Sequence, residues 1–200
     1  MFIVTIFFMA IGYALGSLSS AVIVAKIMNL PDPRKEGSKN PGATNILRIG
    51  GKAAAGLVLL GDILKGFIPV LLASVVGLTG GSLAWVMLAA VVGHMFPCFF
   101  QFKGGKGIAT MFGGVLGISL LLCIFALIVW IVVAAITRFS SFASLCATAA
   151  IVVFGTFLTG MSGLFFPFII MAILIVIRHQ ENIKRLMNGT ESKIDFKKFS

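Results

Sequence analysis

The sequence predicts an all-α, polytopic integral membrane protein with seven transmembrane helices, its amino terminus outside and its carboxyl terminus in the cytoplasm. Hydrophobic residues make up 59% of the 200 residues and charged residues only 11%, whereas soluble domains carry about 25% charged residues. The mean hydropathy of +1.11 is correspondingly high. This composition also excludes an intrinsically disordered chain, which is poor in hydrophobic residues.

The candidate spans are long apolar runs, because a transmembrane helix needs about 20 such residues. No Lys or Arg precedes the first run, whereas Lys26, Arg34 and Lys35 follow it, so we interpret it as an uncleaved span and not as a signal peptide. The runs cover residues 2–24, 53–77, 82–98, 111–136, 144–160 and 163–177.

The basic residues predict the orientation of these spans. The polar stretches at 25–52, 99–110 and 178–200 hold 14 of the 16 Lys and Arg residues. Cytoplasmic loops carry an excess of basic residues, so all three stretches are predicted to face the cytoplasm. An even number of crossings must then separate each pair, and runs 53–77 and 82–98 satisfy this condition.

The region between Lys106 and Arg178 leaves two span counts open, because it contains an odd number of runs. Division of 108–136 into two short helices returns Arg138 to the cytoplasm and gives seven spans. A single tilted span over 111–136, with 144–177 as a re-entrant pass plus a span, puts Arg138 outside and gives five. We prefer seven spans, since this arrangement places 15 of the 16 basic residues inside.

Two spacings inside the runs predict helix contacts. Lys65 lies three residues after Asp62, which predicts a local ion pair on one helix face. The spacings Gly12/Gly16 and Gly113/Gly117 are typical of close helix packing. We predict one transmembrane domain over residues 1–200, with motif-bearing cytoplasmic segments at 25–52, 99–110, 137–144 and 178–191 and a basic tail at 192–200.

The first motif segment runs from Asp32 to Arg48 and mixes Gly, Ser, Asn and Thr with Lys and Arg. Long ordered loops are often functional. Hydroxyls, amides and cations together suit a phosphate group. The alternative is a flexible anchor at the membrane, which needs only the basic residues.

The second motif segment, Gly93–Thr110, places three glycines and two lysines directly before an apolar helix. Bare backbone N–H groups and cations at a helix amino terminus form an anion site. A Walker A loop is disfavoured, because Phe100 stands where its first glycine belongs and Gly107 follows Lys106 in place of Ser or Thr. His94 suits either a ligand or base, or a hydrogen-bonded structural histidine.

The third motif segment, Arg178–Glu191, is predicted to continue the last span as a helix, with Gly189 as its cap. A basic anchoring helix is the alternative, although anchoring does not require the sequence His179-x-Glu181-Asn182. In the fourth motif segment, Thr137–Ser144, the hydroxyls either cap the following helix or, with Arg138, help to hold a phosphate.

Together these segments resemble the bacterial acyl-phosphate:glycerol-3-phosphate acyltransferase family, the membrane-integral PlsY type. The resemblance rests on three motifs in order: Gly37-Ser38-x-Asn40-x-Gly42-Ala43-Thr44-Asn45; Gly93-His94-x-Phe96-Pro97 with Phe102-Lys103-Gly104-Gly105-Lys106-Gly107; and Arg178-His179-x-Glu181-Asn182-Ile183-x-Arg185-Leu186. It implies seven membrane helices in the bacterial cytoplasmic (inner) membrane, with the active site facing the cytoplasm.

The resemblance also implies the reaction and its partners. A fatty acyl group would pass from acyl phosphate to the 1-hydroxyl of sn-glycerol 3-phosphate, giving lysophosphatidate and inorganic phosphate in phospholipid synthesis. The expected partners are these substrates and membrane lipids, with no nucleic acid. Nothing in the sequence calls for a metal ion or an organic cofactor.

The residues that the resemblance implies for the site fall into two groups. The catalytic candidates are Ser38, His179, Glu181 and Asn182. The substrate-binding candidates are Asn40, Thr44, Asn45, Arg48, His94, Lys103, Gly104, Gly105, Lys106, Ser141 and Ser144. The residues after Glu191 match no motif and are predicted to form a surface extension.

This chemistry agrees with the residue types. Acyl phosphate is already activated, so the enzyme must chiefly position two phosphate-bearing substrates and stabilise negative charge. The His-x4-Asp pair of other glycerolipid acyltransferases is absent, because Phe99 and Lys184 stand at the Asp positions after the two histidines. Two routes stay open for the hydroxyl proton: to a substrate phosphate oxygen, or to His179 oriented by Glu181.

Two other classes of function compete with the enzyme. A transporter for a phosphorylated metabolite would use the same cations, but transporters place such sites near the bilayer midplane between repeats. An anchor for anionic lipid would use the basic surface alone. The polar motifs instead cluster where the spans end.

Overall fold

The computed structural model describes residues 1–158 and 162–194, which form nine α-helices and two short 3-10 turns and contain no β-strand. The all-α prediction is therefore confirmed for the described residues. The chain divides into two compact units, Met1–Ile118 and Ser119–Ser200.

The first unit is a bundle in which α3 is the longest helix. The helix α1 packs against α4, and α3 packs against α2, α4 and α5. The bounds are α1 Phe2–Gly16, α2 Ser20–Ile27, α3 Ala43–Val75, α4 Gly81–Met95 and α5 Ile108–Ile118.

Glycines allow these helices to touch backbone to backbone. A Cβ added at Gly16 would collide with the carbonyl of Ala90 on α4, and a Cβ at Gly113 of α5 would collide with the carbonyl of Ile63 on α3. The predicted role of the glycine spacings in close packing is thus confirmed at these contacts.

The helix α3 has a kink at Gly51, where φ is 78° and ψ is −174°. Left-handed φ values favour glycine, which has no Cβ. The turns before the kink carry Thr44, Asn45 and Arg48, so the end of the first motif segment is helical. The apolar run predicted from residue 53 begins just after the kink.

The second unit contains the remaining helices. The helix α7 packs against both α6 and α8, and Phe168, Met171 and Ile175 of α8 are fully buried. The bounds are α6 Leu120–Thr137, α7 Ser140–Leu158, α8 Phe165–Arg178 and α9 Gln180–Met187.

In the described part of the chain, fewer helices are long and apolar enough to cross a membrane than the seven that were predicted. Four helical stretches among the described residues are long and apolar enough, and α8 with α9 makes a fifth if this pair, bent by 60°, counts as one span. The four are Phe2–Ile27, Ala43–Val75, Gly81–Phe100 and Leu120–Thr137. The count of seven stays a prediction.

Two helix breaks bear on the predictions. Ser119 separates α5 from α6 and caps α6 by accepting the N–H of Leu122 at 3.2 Å, which is the division of 108–136 that the seven-span alternative requires. In contrast, the third motif segment does not continue the last span, because the chain bends at His179. The predicted cap at Gly189 is confirmed by its φ of 68° directly after α9.

Candidate active site

The first motif segment is folded around the side chain of Asn45, which is 1% exposed. Its Oδ1 accepts the N–H of Ser38 at 2.9 Å, and its Nδ2 donates to the carbonyls of Pro33 and Glu36 at 3.0 Å each. A Cβ at Gly37, where φ is 60°, would collide with Asn45 Oδ1. Since buried amide groups are costly to leave unpaired, these bonds fix the loop and hold the backbone of Ser38.

The side chains of Thr44 and Arg48 extend from the first two turns of α3. Both are exposed, and their spacing of four residues puts them on one helix face. The amino end of a helix favours a negatively charged group. Ser38 is exposed and Asn40 half-buried in the preceding loop, so hydroxyls, an amide and a guanidinium lie near this helix end.

Arg34, the other arginine of this segment, already has a carboxylate partner. Its Nε lies 3.0 Å from Asp32 Oδ1, and its Nη2 lies 2.8 Å from Asp32 Oδ2. The hydrogen bonds from Arg34 hold the pKa of the Asp32 carboxyl below its usual value. This two-point pair neutralises the charge of Arg34.

The glycines of the second motif segment serve close packing as well as turning. Gly105 N–H donates to the carbonyl of His94 at 3.1 Å, and a Cβ at Gly104 would collide with the carbonyls of His94 and Met95. The expectation of bare N–H groups is therefore wrong for Gly105. Gly107, with φ of 85°, directly precedes α5.

The two lysines of this loop flank the buried glycines. Lys103 is exposed and Lys106 half-buried. His94 is 6% exposed, and its Nδ1 lies 3.5 Å from Asp62 Oδ1. This burial favours the structural alternative for His94. The basic groups that this loop offers are those of the two lysines.

The second unit contains a hub that the sequence analysis missed, the carboxylate of Glu191. Its Oε1 accepts from Asn182 Nδ2 at 2.6 Å and from Ser141 Oγ at 2.7 Å, and its Oε2 lies 2.7 Å from Arg185 Nε. Burial raises the pKa of Glu191, but the hydrogen bonds from Asn182, Ser141 and Arg185 outweigh this effect and lower it. The available signal was an acidic residue in a basic segment, directly after the turn at Gly189.

His179 lies at the bend between α8 and α9 and is 2% exposed. Its Nδ1 is 2.8 Å from the carbonyl of Ile175. A carbonyl accepts only, so Nδ1 carries a proton, and in the neutral ring Nε2 is then the basic nitrogen. The expectation that Glu181 orients His179 is wrong, because Glu181 Oε1 is 3.1 Å from Lys184 Nζ on the exposed side of α9.

Ser144 has a hydroxyl that is already engaged within its own unit. Its Oγ donates to the carbonyl of Ser140 at 2.8 Å and accepts from Trp130 Nε1 at 3.1 Å. The indole of Trp130 was not anticipated, since nothing in the sequence links it to Ser144. A positioning role for Ser144 fits these contacts.

The tail is attached to the fourth motif segment. Ile194 N–H donates to the carbonyl of Arg138 at 2.7 Å, and Arg138 Nη2 donates to the carbonyl of Ile194 at 2.9 Å. These bonds attach Ile194 to the end of α6, and the surface extension stays a prediction. Lys197 and Lys198 lie outside the described residues.

Comparisons with known proteins identify the family. A family model described as glycerol-3-phosphate acyltransferase matches residues 6–189. A glycerol-3-phosphate acyltransferase of Coxiella burnetii is 51% identical over 184 residues, which cover 92% of this chain and 95% of the relative. This chain belongs to the glycerol-3-phosphate acyltransferase family. A family member from Methylococcus capsulatus is 50% identical over 186 residues, covering 93% of this chain and 94% of the relative.

Two solved structures share the fold of this acyltransferase. A crystal structure of PlsY (YgiH), an integral membrane glycerol 3-phosphate acyltransferase in its glycerol 3-phosphate form, has a TM-score of 0.89 and 40% identity, covering 96% of each chain. The lysophosphatidic acid form has a TM-score of 0.87 and 39% identity, covering 96% of this chain and 95% of that one. The acyltransferase is thus a multi-pass membrane protein, and the resemblance read from its motifs is confirmed.

Proposed function

We propose that this protein transfers a fatty acyl group from acyl phosphate to the 1-hydroxyl of sn-glycerol 3-phosphate. The hydroxyl oxygen forms an ester bond with the acyl carbon, and the bond from that carbon to the phosphate oxygen breaks. Lysophosphatidate and inorganic phosphate are the products. The observation that carries this proposal is the likeness to two PlsY structures, one in a glycerol 3-phosphate form and one in a lysophosphatidic acid form.

The proposed binding groups are exposed or half-buried polar side chains in the motif segments. The cations and hydroxyls hold the phosphate groups and stabilise the negative charge that develops during transfer. These residues are Ser38, Asn40, Thr44, Arg48, Lys103 and Lys106. Three residues act through the side chains and loops that they hold: Asn45, Ser141 and Ser144. The loop at 103–107 lies against α4 because Gly104 and Gly105 have no side chain in the way.

His179 and Asn182 are the proposed reaction residues of the second unit. Two destinations remain for the hydroxyl proton: an oxygen of a substrate phosphate, or Nε2 of His179. His179→Ala separates them. A loss in kcat of about 100-fold or more at unchanged KM supports the histidine as general base. Near-normal kcat with a raised KM assigns it to binding and leaves the substrate phosphate as acceptor.

We also propose seven spans in the bacterial inner membrane, with the motif segments at the cytoplasmic face. The excess of Lys and Arg in these segments supports the orientation. The hydrogen bonds between Arg138 and Ile194 support the count, because only seven spans put the end of α6 and the segment after α9 on the same side, where they can meet. The five-span alternative requires these two segments to lie on opposite faces.

The experiment gives the purified protein acyl phosphate and glycerol 3-phosphate without thioester donors, nucleotide or added metal ion. We expect lysophosphatidate and inorganic phosphate in equal amounts. A folded preparation that makes neither product from acyl phosphate, but turns over with an acyl thioester, would overturn the donor assignment. No turnover with either donor would overturn the proposed reaction.

A further inference from the structure

Three ionisable side chains are buried together in the first unit. Asp62 and Lys65 lie on α3, and His94 lies in the last turn of α4; their side chains are 4%, 6% and 6% exposed. Charged groups inside membrane helices are expensive to bury and commonly mark a function. None of the proposed binding or reaction steps above uses this cluster.

Asp62 is the centre of the cluster. Its Oδ1 lies 2.8 Å from Lys65 Nζ and 3.5 Å from His94 Nδ1. The longer distance exceeds that of a strong hydrogen bond, so the attraction between Asp62 and the imidazole is mainly electrostatic. Lys65 also donates to the carbonyl of Leu18 at 2.8 Å, in the break between α1 and α2. The cluster therefore joins α3, α4 and this break.

The other side of His94 contacts the 103–107 loop of the second motif segment. Gly105 N–H donates to the carbonyl of His94, and a Cβ added at Gly105 would collide with His94 Nε2. One ring nitrogen thus faces Asp62 while the other lies against the loop. The ring therefore lies against the backbone of the loop between Lys103 and Lys106.

We propose that Asp62, Lys65 and His94 are positioning residues that fix the 103–107 loop, so that its lysines meet a substrate phosphate. Asp62 orients the His94 ring and favours the proton on Nδ1, and the ring supports Gly105. Lys65 balances the charge of Asp62 and lowers the cost of burying it. This inference rests on the proposed function, because it assigns a purpose to the loop.

An ion pair that only stabilises the fold is the competing explanation, and paired variants separate the two. Breaking the pair with Lys65→Met alone leaves an uncompensated buried charge and destabilises the protein under either explanation. The double variant Asp62→Asn/Lys65→Met removes both charges, which is often nearly neutral for stability. It also deprives His94 of its carboxylate.

We expect the folded double variant to raise KM for glycerol 3-phosphate about 10-fold, by analogy with the loss seen when the groups that orient metal ligands are removed, with a much smaller change in kcat. His94→Phe keeps a ring beside Gly105 but loses both nitrogens, and it should show the same defect. Because both variants break one coupling, their combination should be no worse than either alone.

The matched control is Thr5→Val, which removes a buried hydroxyl of α1 that donates to the carbonyl of Met1. It should keep the wild-type KM. Wild-type KM in the folded double variant, or additive effects of the double variant and His94→Phe, would overturn the proposal. If the double variant does not fold, His94→Phe alone decides, since it leaves the ion pair intact.

A second readout separates this inference from the proposed function. Glycerol 3-phosphate or inorganic phosphate should raise the unfolding temperature of the wild-type protein, and this shift needs no acyl donor. A shift that is lost in the double variant and in His94→Phe supports the positioning cluster even if acyl phosphate proves to be the wrong donor. An unchanged shift in both variants overturns the cluster, whatever the donor.

Discussion

At the residue scale, single buried polar side chains hold the motif segments together. Glu191 collects donors from α7 and α9, and Asn45 supplies both an acceptor and two donors to one loop. Each exchanges hydrogen bonds with water for hydrogen bonds within the protein. The net gain per bond is modest, about 1 kcal/mol, but the penalty for leaving a buried partner unpaired is larger. Deleting one such side chain therefore affects several groups.

Glu191 provides a prediction about stability and pH. Glu191→Ala should lower the free energy of unfolding by about 2–4 kcal/mol, because it removes the acceptor shared by the donors of Asn182, Ser141 and Arg185. Glu191→Gln keeps an acceptor but loses the charge, so its loss should be smaller. Thermal unfolding in detergent measures both variants. Glu181→Gln, which breaks only an exposed pair with Lys184, is the control and should have little effect.

The pH dependence of Glu191 follows from its lowered folded pKa. A group with a depressed folded pKa contributes stability above its unfolded value, here 4.5, and loses that contribution as pH falls through the folded pKa. The difference in unfolding temperature between wild type and Glu191→Gln should thus be constant above pH 4.5 and shrink below it. A difference that grows with acidification would contradict the assignment.

Asn45 provides a prediction about the first motif segment. Asn45→Asp keeps the acceptor for Ser38 N–H but loses both donors to the carbonyls of Pro33 and Glu36, and it adds a buried charge. We expect KM for glycerol 3-phosphate to rise about 10-fold or more, together with reduced thermal stability. Glu36→Gln is the matched control, because only the backbone carbonyl of Glu36 accepts from Asn45, and wild-type kinetics are expected. Equal effects of the two variants would show that the hydrogen bonds of the Asn45 side chain do not hold the first motif segment.

At the scale of elements, contacts between helix backbones and breaks between helices shape the two units. In the first unit, Gly66 and Gly113 let α3 and α5 touch directly, since a Cβ at either would meet a carbonyl of the other helix. The break at Ser119 falls inside the apolar run 111–136, as the seven-span arrangement requires, and the break at His179 ends α8 where a continued helix was predicted. Both features decide where motif residues lie.

The contact between α3 and α5 makes a testable pair of glycine substitutions. Gly113→Ala should destabilise by about 1–3 kcal/mol, because the methyl group forces the helices apart. Gly56→Ala lies on the same α3 helix with nothing within 4 Å of the added Cβ, so it should be neutral or stabilising by up to about 1 kcal/mol. Unfolding temperatures compare them. A stabilising Gly113→Ala would show that the two helices are not in direct contact.

At the scale of the whole molecule, the span count decides which side of the membrane each motif faces. Seven spans and five spans agree on the first two motif segments and on the third, but they place the α6–α7 turn on opposite sides. The turn is therefore the most informative position. Ser140, the first residue of α7, is suited to labelling because Ser→Cys nearly preserves its shape.

The prediction uses a protein without its native cysteines and single cysteines introduced at Ser140, Thr79 or Lys184. A membrane-impermeant maleimide added to intact cells should label Thr79→Cys, between α3 and α4. It should label Ser140→Cys and Lys184→Cys only after permeabilisation. Labelling of Ser140→Cys in intact cells, with Lys184→Cys protected, would establish five spans and reject seven.

The sequence by itself determined the membrane class, the position of most helices and the three motifs that mark the family. Hydropathy and charge are summed over neighbouring residues, and a motif is a run of neighbours, so these properties need no tertiary structure. Apolar runs such as 53–77 and the cap at Gly189 were recovered for this reason. The Asp62–Lys65 pair was also predicted, since three residues separate its members on one helix.

Only the tertiary structure decided which polar groups meet. Ser141 and Glu191 are 50 residues apart in the chain yet share a 2.7 Å hydrogen bond, and Gly105 lies against His94 because α4 and α5 pack together. Glu181, two residues from His179, was expected to orient it and instead points to Lys184. Proximity in sequence does not fix the direction of a side chain once a helix bends, whereas packing between distant helices does.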